Sequence, residues 1–336
     1  MNALVTGGGG FLGRRLVELL RQQGHTVRFL ARGKYPEVEK TGAAGLQVDL
    51  ADRDAVFAAV KGIDTVFHVA ARAGFYGKLE TYWAPNVDGT RHLLDAMEEH
   101  GVQRMIYTST PSVVGYDHDI EGGGMDLPYA ERHRSPYPES KAAAESMVLQ
   151  ANRAGLATVS LRPHLIYGPR DTNLLPRVFE RAGKGRLPII GDGKAVVDVT
   201  YIDNAAWAHL DAARALTGHT AACAGKPYFI SDDNPVVLWD WVNELLAALE
   251  IPPVTRKLPY GAVRTLAGVA ETAWSTLRLS GEPPLTPFVV DGFARSHWFD
   301  MAPAKRDLGY TPRVSPERAL QETVQWFAAS QPAASS

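Results

Sequence analysis

The sequence predicts an α/β protein built on a doubly wound parallel sheet, with a smaller, mainly C-terminal region beside it. Three observations carry that expectation. A short apolar run, a glycine cluster and a helical pattern follow one another at the start of the chain. Short apolar strands then alternate with helices up to about residue 165, as a parallel sheet covered on both faces requires. Beyond that point prolines crowd at Pro252-Pro253, Pro259, Pro283-Pro284 and Pro287, among short helices.

The first unit is Ala3-Leu4-Val5, then Thr6-Gly7-Gly8-Gly9-Gly10-Phe11-Leu12-Gly13, then a helix whose leucines and valine recur from Leu16 to Leu20. Strand, glycine turn and helix in this order are the context a dinucleotide-binding turn needs. Gly7 permits the sharp turn, Gly10 lets backbone approach a pyrophosphate, and Gly13 lets helix and strand pack closely. The helix's free N–H groups and positive end then favour phosphate.

Thr26 to Ala31 reads as the second strand. An NAD-preferring fold carries an acidic residue near its end, whereas this chain has Ala31 and Arg32, with Lys34 close behind. A guanidinium in place of a carboxylate favours a 2′-phosphate, so the cofactor expected is NADP(H). NAD(H) stays open if both cations are solvated loop residues. Leu46 to Leu50 reads as a third strand that sets Asp49 at its carboxyl end, in reach of an adenine amino group. Asp52 to Val60 reads as a helix with an acidic cap. Thr65 to Ala71 reads as a buried strand ending in small residues, with His68 as a core histidine.

An aromatic loop follows, Gly74-Phe75-Tyr76-Gly77, with Tyr82 and Trp83 beyond it. Two readings stay open for it: the wall of an apolar pocket, or ordinary loop packing. Asn86 to Glu99 reads as a helix with Val87, Leu93, Leu94 and Met97 on its apolar face, and Arg104 to Thr108 as the next strand.

Tyr137-Pro138-Glu139-Ser140-Lys141 places a tyrosine and a lysine on one helix face. Pro138 suits the first turn, and Ser135 is a candidate cap. A free tyrosine titrates near pH about 10, and a neighbouring ammonium is expected to bring that value down. Such a tyrosine protonates a carbonyl oxygen as hydride arrives, or deprotonates an alcohol in reverse. Tyr107 to Ser112 ends a strand upstream and offers hydroxyls to the same oxygen.

Thr6 to Gly13, Asp49-Leu50, Thr108-Ser109-Thr110 and Tyr137 to Lys141 together resemble the extended short-chain dehydrogenase/reductase superfamily. Ala70-Ala71, Asn86 to Thr90, Leu161 to Arg170 and Asp198 to Asn204 extend the likeness over nearly the whole chain. Within the superfamily the chain is most similar to the 3β-hydroxysteroid dehydrogenase branch. Sterol-4α-carboxylate 3-dehydrogenases and bacterial 2-alkyl-3-oxoalkanoate reductases of olefin biosynthesis resemble it closely. Ala71 to Gly74, Tyr107 to Val114 and Cys223 to Ser231 favour the latter.

The resemblance implies a Rossmann-like fold. Residues 1–165 would bind the dinucleotide, about 195–230 would return to that part, and 166–330 would mostly bind substrate. It makes Tyr137 the acid/base, Lys141 its electrostatic partner and Thr110 the assisting hydroxyl, with Ser112 a neighbour able to share that role. Cofactor contacts would come from Gly7, Gly10, Phe11, Leu12, Arg32, Asp49, Leu50, Ala70, Ala71, Tyr137, Lys141 and Pro163. Asn86 would order the active-site strands, and His164 reads as packing ahead of catalysis. A homodimer through helices at about 86–100 and 138–152 is usual in the family.

The activity expected is NADP(H)-dependent interconversion of a 3-oxo and a 3-hydroxy group on a large apolar carboxylate. The alternatives are a decarboxylating sterol-4α-carboxylate dehydrogenase, a sugar-nucleotide epimerase and a nucleotide-sensing regulator without turnover. Pro111 and Ser112 stand where related dehydratases carry an acidic pair, so dehydration lacks its groups. An exchangeable NADPH argues against epimerisation, and the intact Tyr137/Lys141 pair argues against a sensor.

A net charge of −2 provides no basic field for nucleic acid. The single cysteine, Cys223, has no disulfide partner, and no metal is expected. The glycine turn begins almost at Met1, so no signal peptide is expected. No stretch reaches the roughly 18 uncharged apolar residues of a spanning helix, so a cytoplasmic location is expected. Tyr260, Val263, Leu266, Val269, Ala270 and Trp274 recur near helical spacing. They read as core packing, with a lid over a long chain, or a membrane or pathway-enzyme contact flanked by Arg264 and Arg278, as alternatives. The Ala/Ser/Pro-rich tail 331–336 reads as disordered.

Overall fold

The computed structural model describes residues 1–277 and 279–330; Arg278 and the tail 331–336 lie outside the described residues. β1 (Asn2–Thr6), β2 (Thr26–Ala31), β3 (Ala44–Gln47), β4 (Thr65–His68) and β5 (Arg104–Thr108) form one sheet with Ala157–Pro163 and Pro227–Ile230. The spatial order is Pro227–Ile230, Ala157–Pro163, β5, β4, β1, β2, β3. Every neighbouring pair runs parallel. The chain winds outward from β1 through β2 and β3, then crosses back to β4 on β1's other side. This Rossmann-like reversal opens a crevice at the carboxyl ends of β1 and β4, where open α/β sheets bind ligands.

Helices cover both faces because the strands are apolar on both. Leu16, Val17 and Leu20 of helix Phe11–Gln22 meet Ala205 and Ala208 of helix Ile202–Ala215 in one layer. Val56, Leu93, Met97 and Val148 belong to the other. Helix Ile202–Ala215 and strand Pro227–Ile230 thus join the main layers although they come late in the chain. A smaller mixed sheet of Val236–Val237, Val196–Val197, His297–Phe299 and Ile120–Gly123 stands beside them. No described helix is long and apolar enough to cross a membrane.

Several elements differ from the sequence pattern, each for a local reason. β3 ends at Gln47 rather than Leu50, because the Asp49 carboxylate accepts from the Ala51 N–H at 3.0 Å and turns the chain. β4 ends at His68, and the Ala70 N–H is taken by the Thr6 hydroxyl at 3.0 Å. The helix expected from Asn86 starts at Leu79 and runs to His100 through a π turn, Ala84–Asp88, in which Pro85 has no N–H to offer. The stripe expected along helix Tyr260–Thr276 does not share a face. Val263 is buried with Ile190 and Val290, while Leu266 and Val269 are 69% and 63% exposed.

Helix Pro136–Gln150 carries an unusual buried face. Ser140, Lys141 and Glu145 all lie inside. The Glu145 carboxylate accepts from Arg162 Nε at 3.1 Å and from the Ser160 hydroxyl at 2.8 Å. Burial pushes the Glu145 carboxyl up, yet Arg162 outweighs it and holds the group below its usual range. Breaking a buried pair by removing one partner strands the other charge. Glu145→Ala is therefore expected to destabilise the protein by about 3 kcal/mol or more, read as a lowered urea midpoint. A loss under about 1 kcal/mol would mean that Arg162 finds water or another partner.

Candidate active site

The glycine turn is shaped by contacts no side chain would tolerate. Gly7 has φ +71°, and a Cβ there would lie 2.9 Å from Ala70 Cα. A Cβ at Gly13 would lie 2.1 Å from the Gly7 carbonyl oxygen, so the helix sits directly against the turn. Gly10 caps helix Phe11–Gln22 without a side-chain bond. The first-turn N–H groups at Phe11 and Leu12 thus have no acceptor within the helix, which suits an anion. The donor set and the cradle fit a pyrophosphate.

Across the crevice the Thr6 hydroxyl joins the ends of β1 and β4, bonding both the Ala70 N–H and His68 Nδ1, the latter at 2.8 Å. His68 is fully buried and also meets the Thr90 hydroxyl at 2.9 Å. Burial, helped by Lys141, lowers its imidazole to about 3, so it is a neutral structural residue. Arg32 and Lys34 are exposed just past β2, and no ion pair holds either among the described residues. Tyr35 packs its ring on the turn, where a Cβ at Gly9 would fall 2.2 Å from it. Tyr35 escaped the sequence reading, although it directly follows the two cations.

Tyr137 stands in the first turn of helix Pro136–Gln150, and Lys141 lies one turn further along the same face. Lys141 Nζ donates to the Thr108 carbonyl at 2.6 Å and lies 4.1 Å from the centre of the Tyr107 ring. Burial lowers the ammonium to about 7, with the Glu145 carboxylate opposing that change. The Tyr137 phenol is pushed up to about 12 by burial, and the adjacent Thr110 hydroxyl acts in the opposite direction. The expected lowering of Tyr137 is therefore not found. Lys141 is aimed at the end of β5, and desolvation outweighs the help expected from its charge. Tyr137 accordingly rests as the acid.

Thr110 and Ser112 hydroxyls are 3.0 Å apart at the turn after β5, so the structure brings both candidates together. Asn86 locks the surroundings. Its amide accepts from the Arg72 N–H at 2.7 Å and donates to the Arg72 carbonyl at 3.1 Å and to the Ser140 hydroxyl at 2.9 Å. Ser135 precedes the helix but does not cap it; its hydroxyl donates to the Phe75 carbonyl at 3.0 Å, tying the aromatic loop down. Pro163 ends its strand at the same edge of the sheet, on the far side of β5 from β4, whereas Asp49 and Leu50 lie past β3.

Next to Ser112 a cleft is lined by Tyr116, Pro138, Phe288 and the charged residues Asp117, Arg132, Arg134 and Asp291. Phe288 lies 5.7 Å from Phe75 and 5.8 Å from Tyr116, ring centre to ring centre. His164 is buried, stacked on His297 at 4.7 Å, with Tyr116 on His297 at 4.5 Å. Burial, reinforced by His297, keeps the His164 imidazole well below its ordinary value. Tyr116, Arg134 and His297 escaped the sequence reading; the run Arg132-His133-Arg134 just ahead of Tyr137 was an available signal. A larger depression lined by Asp64, Gln103, Arg104 and His219 lies at the amino ends of the strands, away from these groups.

Known proteins share this chain's sequence pattern and fold. Residues 4–260 match the model of the 3-beta hydroxysteroid dehydrogenase/isomerase family. The 2-alkyl-3-oxoalkanoate reductase of Stenotrophomonas maltophilia is 48% identical over 96% of this chain and 98% of its own. The mouse (Mus musculus) sterol-4-alpha-carboxylate 3-dehydrogenase, decarboxylating, is 33% identical over 96% and 90%. Among solved structures, MoeE5 in complex with UDP-glucose and NAD is 26% identical, covering 98% of this chain and 99% of its own at a TM-score of 0.75.

The site makes a pH profile predictable. Lys141, lowered to about 7, is an ammonium below that pH and a neutral amine above it. If the ammonium is the form that receives a dinucleotide ribose, kcat/KM for the dinucleotide falls as pH rises through about 7. A flat profile from about pH 6 to 9 would remove Lys141 from that role.

Proposed function

We propose that this chain, which belongs to the 3-beta hydroxysteroid dehydrogenase/isomerase family, is an NADP(H)-dependent reductase that converts a 2-alkyl-3-oxoalkanoate to its 3-hydroxy acid. The observation that carries the reading is Tyr137, a phenol held in its acid form at about 12 beside Thr110 and Ser112. Reduction of a carbonyl needs an acid at the oxygen, and a phenol protonated at neutrality supplies one. The named reductase relative of Stenotrophomonas maltophilia favours this substrate class.

The glycine turn and the first-turn N–H groups of helix Phe11–Gln22 would hold the pyrophosphate. Arg32 and Lys34, exposed after β2, would meet a 2′-phosphate. When bound, the nicotinamide supplies hydride to the carbonyl carbon. Tyr137 Oη gives its proton to the carbonyl oxygen as negative charge develops there. Thr110, supported by Ser112, orients that oxygen. Lys141, anchored on the Thr108 carbonyl, would bond the ribose and stabilise the phenolate left behind. His68, His164 and His297 take no proton in this scheme, because burial keeps all three neutral.

The sterol reading draws on the mouse relative, and both substrates carry a carboxylate beside the reacting carbon. A 4α-carboxysterol assayed with NAD separates them. A cytoplasmic homodimer through helices at about 86–100 and 138–152 belongs to the same proposal.

Purified protein is expected to oxidise NADPH with a racemic 2-alkyl-3-oxoalkanoate, and Tyr137→Phe to lower kcat by about 100-fold or more. Survival of the rate within a fewfold would end the assignment of Tyr137. Arg32→Glu is expected to lower kcat/KM for NADPH by about 10-fold or more while sparing NADH. Equal losses with both nucleotides would make Arg32 an ordinary surface residue.

A further inference from the structure

We infer that Arg134, assisted by Arg132, binds the carboxylate of the substrate and keeps it from leaving as carbon dioxide while the neighbouring ketone is reduced. The inference rests on the 3-oxo acid reading above and adds what holds the acid group.

The cleft beside Ser112 carries two cations and two carboxylates on its walls. Both carboxylates are already engaged. Asp291 accepts from Arg264 at 2.7 and 3.2 Å and from the Tyr260 hydroxyl at 2.8 Å. Asp117 is paired with the His118 ring at 3.0 Å. Arg134 reaches Asp291 only at 3.9 Å, too far for a hydrogen bond. Among the described residues no hydrogen bond engages the guanidinium of Arg132 or Arg134. Each guanidinium brings five N–H donors in a fork that matches a carboxylate. The cleft therefore presents two guanidiniums whose N–H donors are unclaimed, five and three residues ahead of Tyr137, with Arg134 held only by a long ion pair to Asp291.

The rest of the cleft suits the other parts of such a molecule. Ser112 lines it and meets the Thr110 hydroxyl at 3.0 Å, so the cleft ends one buried side chain away from the hydroxyl that adjoins Tyr137. Phe288, in line with Phe75 and Tyr116, forms its apolar side; the cleft holds only about 10 Å³, so alkyl arms enter only as these rings move apart.

The chemistry gives the arginines a second effect. A 3-oxo acid loses carbon dioxide when the C1–C2 bond breaks and its electron pair moves toward the ketone, leaving an enol that later takes a proton at C2. An acid poised at the ketone oxygen, as Tyr137 is, promotes that loss as well as reduction. In decarboxylation the negative charge leaves the carboxylate. A guanidinium paired with it stabilises the bound acid more than the departing transition state. In reduction the charge stays on C1, hydride from the nicotinamide reaches C3, and the proton of Tyr137 goes to the oxygen. The carboxylate is kept, and the reaction that consumes the product must be one that takes a 3-hydroxy acid.

The test compares wild type, Arg134→Gln, Arg134→Lys and Arg132→Gln on a freshly hydrolysed 2-alkyl-3-oxoalkanoate and on the matching ketone lacking the carboxylate. Products are separated by mass spectrometry, and calorimetry measures affinity for the 2-alkyl-3-hydroxyalkanoate. NADPH fluorescence on binding reports that each variant is folded. Arg134→Gln is expected to lose about 10-fold or more in kcat/KM on the keto acid relative to the ketone, as removal of a charged hydrogen bond implies. It also binds the hydroxy acid correspondingly more weakly and releases a larger share of decarboxylated ketone. Arg134→Lys recovers part of the affinity, and Arg132→Gln shows the same pattern more weakly. Parallel changes on keto acid and ketone, with hydroxy-acid affinity unchanged, overturn the arginine assignment and leave the reductase standing. A wild type that neither reduces the keto acid nor binds the hydroxy acid overturns both.

Discussion

The active site depends on a carboxylate buried behind it. Glu145 lies inside the sheet-facing side of helix Pro136–Gln150, where an isolated charge would be strongly disfavoured. Arg162, on the neighbouring strand Ala157–Pro163, compensates it, and Ser160 supplies a further donor. Satisfying that pair requires one rotation of the helix about its axis. The same rotation turns Lys141, one turn earlier, toward the carbonyl of Thr108, and sets Tyr137 over the end of β5. An apolar face would grip the sheet as firmly but with less directional preference, since hydrophobic contact is not directional. The polar column fixes the orientation of the helix face that carries Tyr137 and Lys141.

That column also sets the proton chemistry. Lys141 is close enough to Glu145 to feel its charge, and deep enough that burial prevails. Its ammonium is held near the neutral range. Tyr137 is desolvated without a cation aimed at its oxygen, so it stays protonated. In the proposed reaction the two groups divide the labour: one gives a proton, the other stabilises the charge that remains.

Much of this was legible in the chain. Strand, glycine turn and helix are local in sequence, and Gly7 and Gly13 have the close contacts their spacing implied. The four-residue step from Tyr137 to Lys141 is likewise a property of one helix. What escaped the sequence depends on contacts between distant segments. Ser135 has the chemistry of a cap, but the aromatic loop sixty residues earlier takes its hydroxyl. Asp49 ends β3 early by a local turn that apolar patterning does not register. Helix Tyr260–Thr276 has apolar residues on more than one face, so periodicity alone did not separate Val263, which is covered, from Leu266, which is not. Lowering of the Tyr137 phenol was inferred from spacing to a cation, whereas the outcome is decided by burial.

The two sides of the site differ in how sequence encodes them. The nucleotide side uses backbone N–H groups and small residues, which a short contiguous motif can specify. The proposed substrate side is assembled from Phe75, Tyr116, Arg134, His164, Phe288 and His297, contributed by separate segments. Stacking of Tyr116 on His297 and of His297 on His164 makes this wall rigid, and burial keeps its imidazoles uncharged. Beside this neutral aromatic wall the exposed arginines keep their N–H donors free, since the hydrogen bonds of Asp291 go to Arg264 and Tyr260. A ligand that enters tail against the aromatics and anion against the guanidiniums satisfies both halves at once. Reversed, it would desolvate its anion without a partner, at a cost of several kcal/mol. In the proposed complex, charge therefore sets the orientation of the ligand in the cleft.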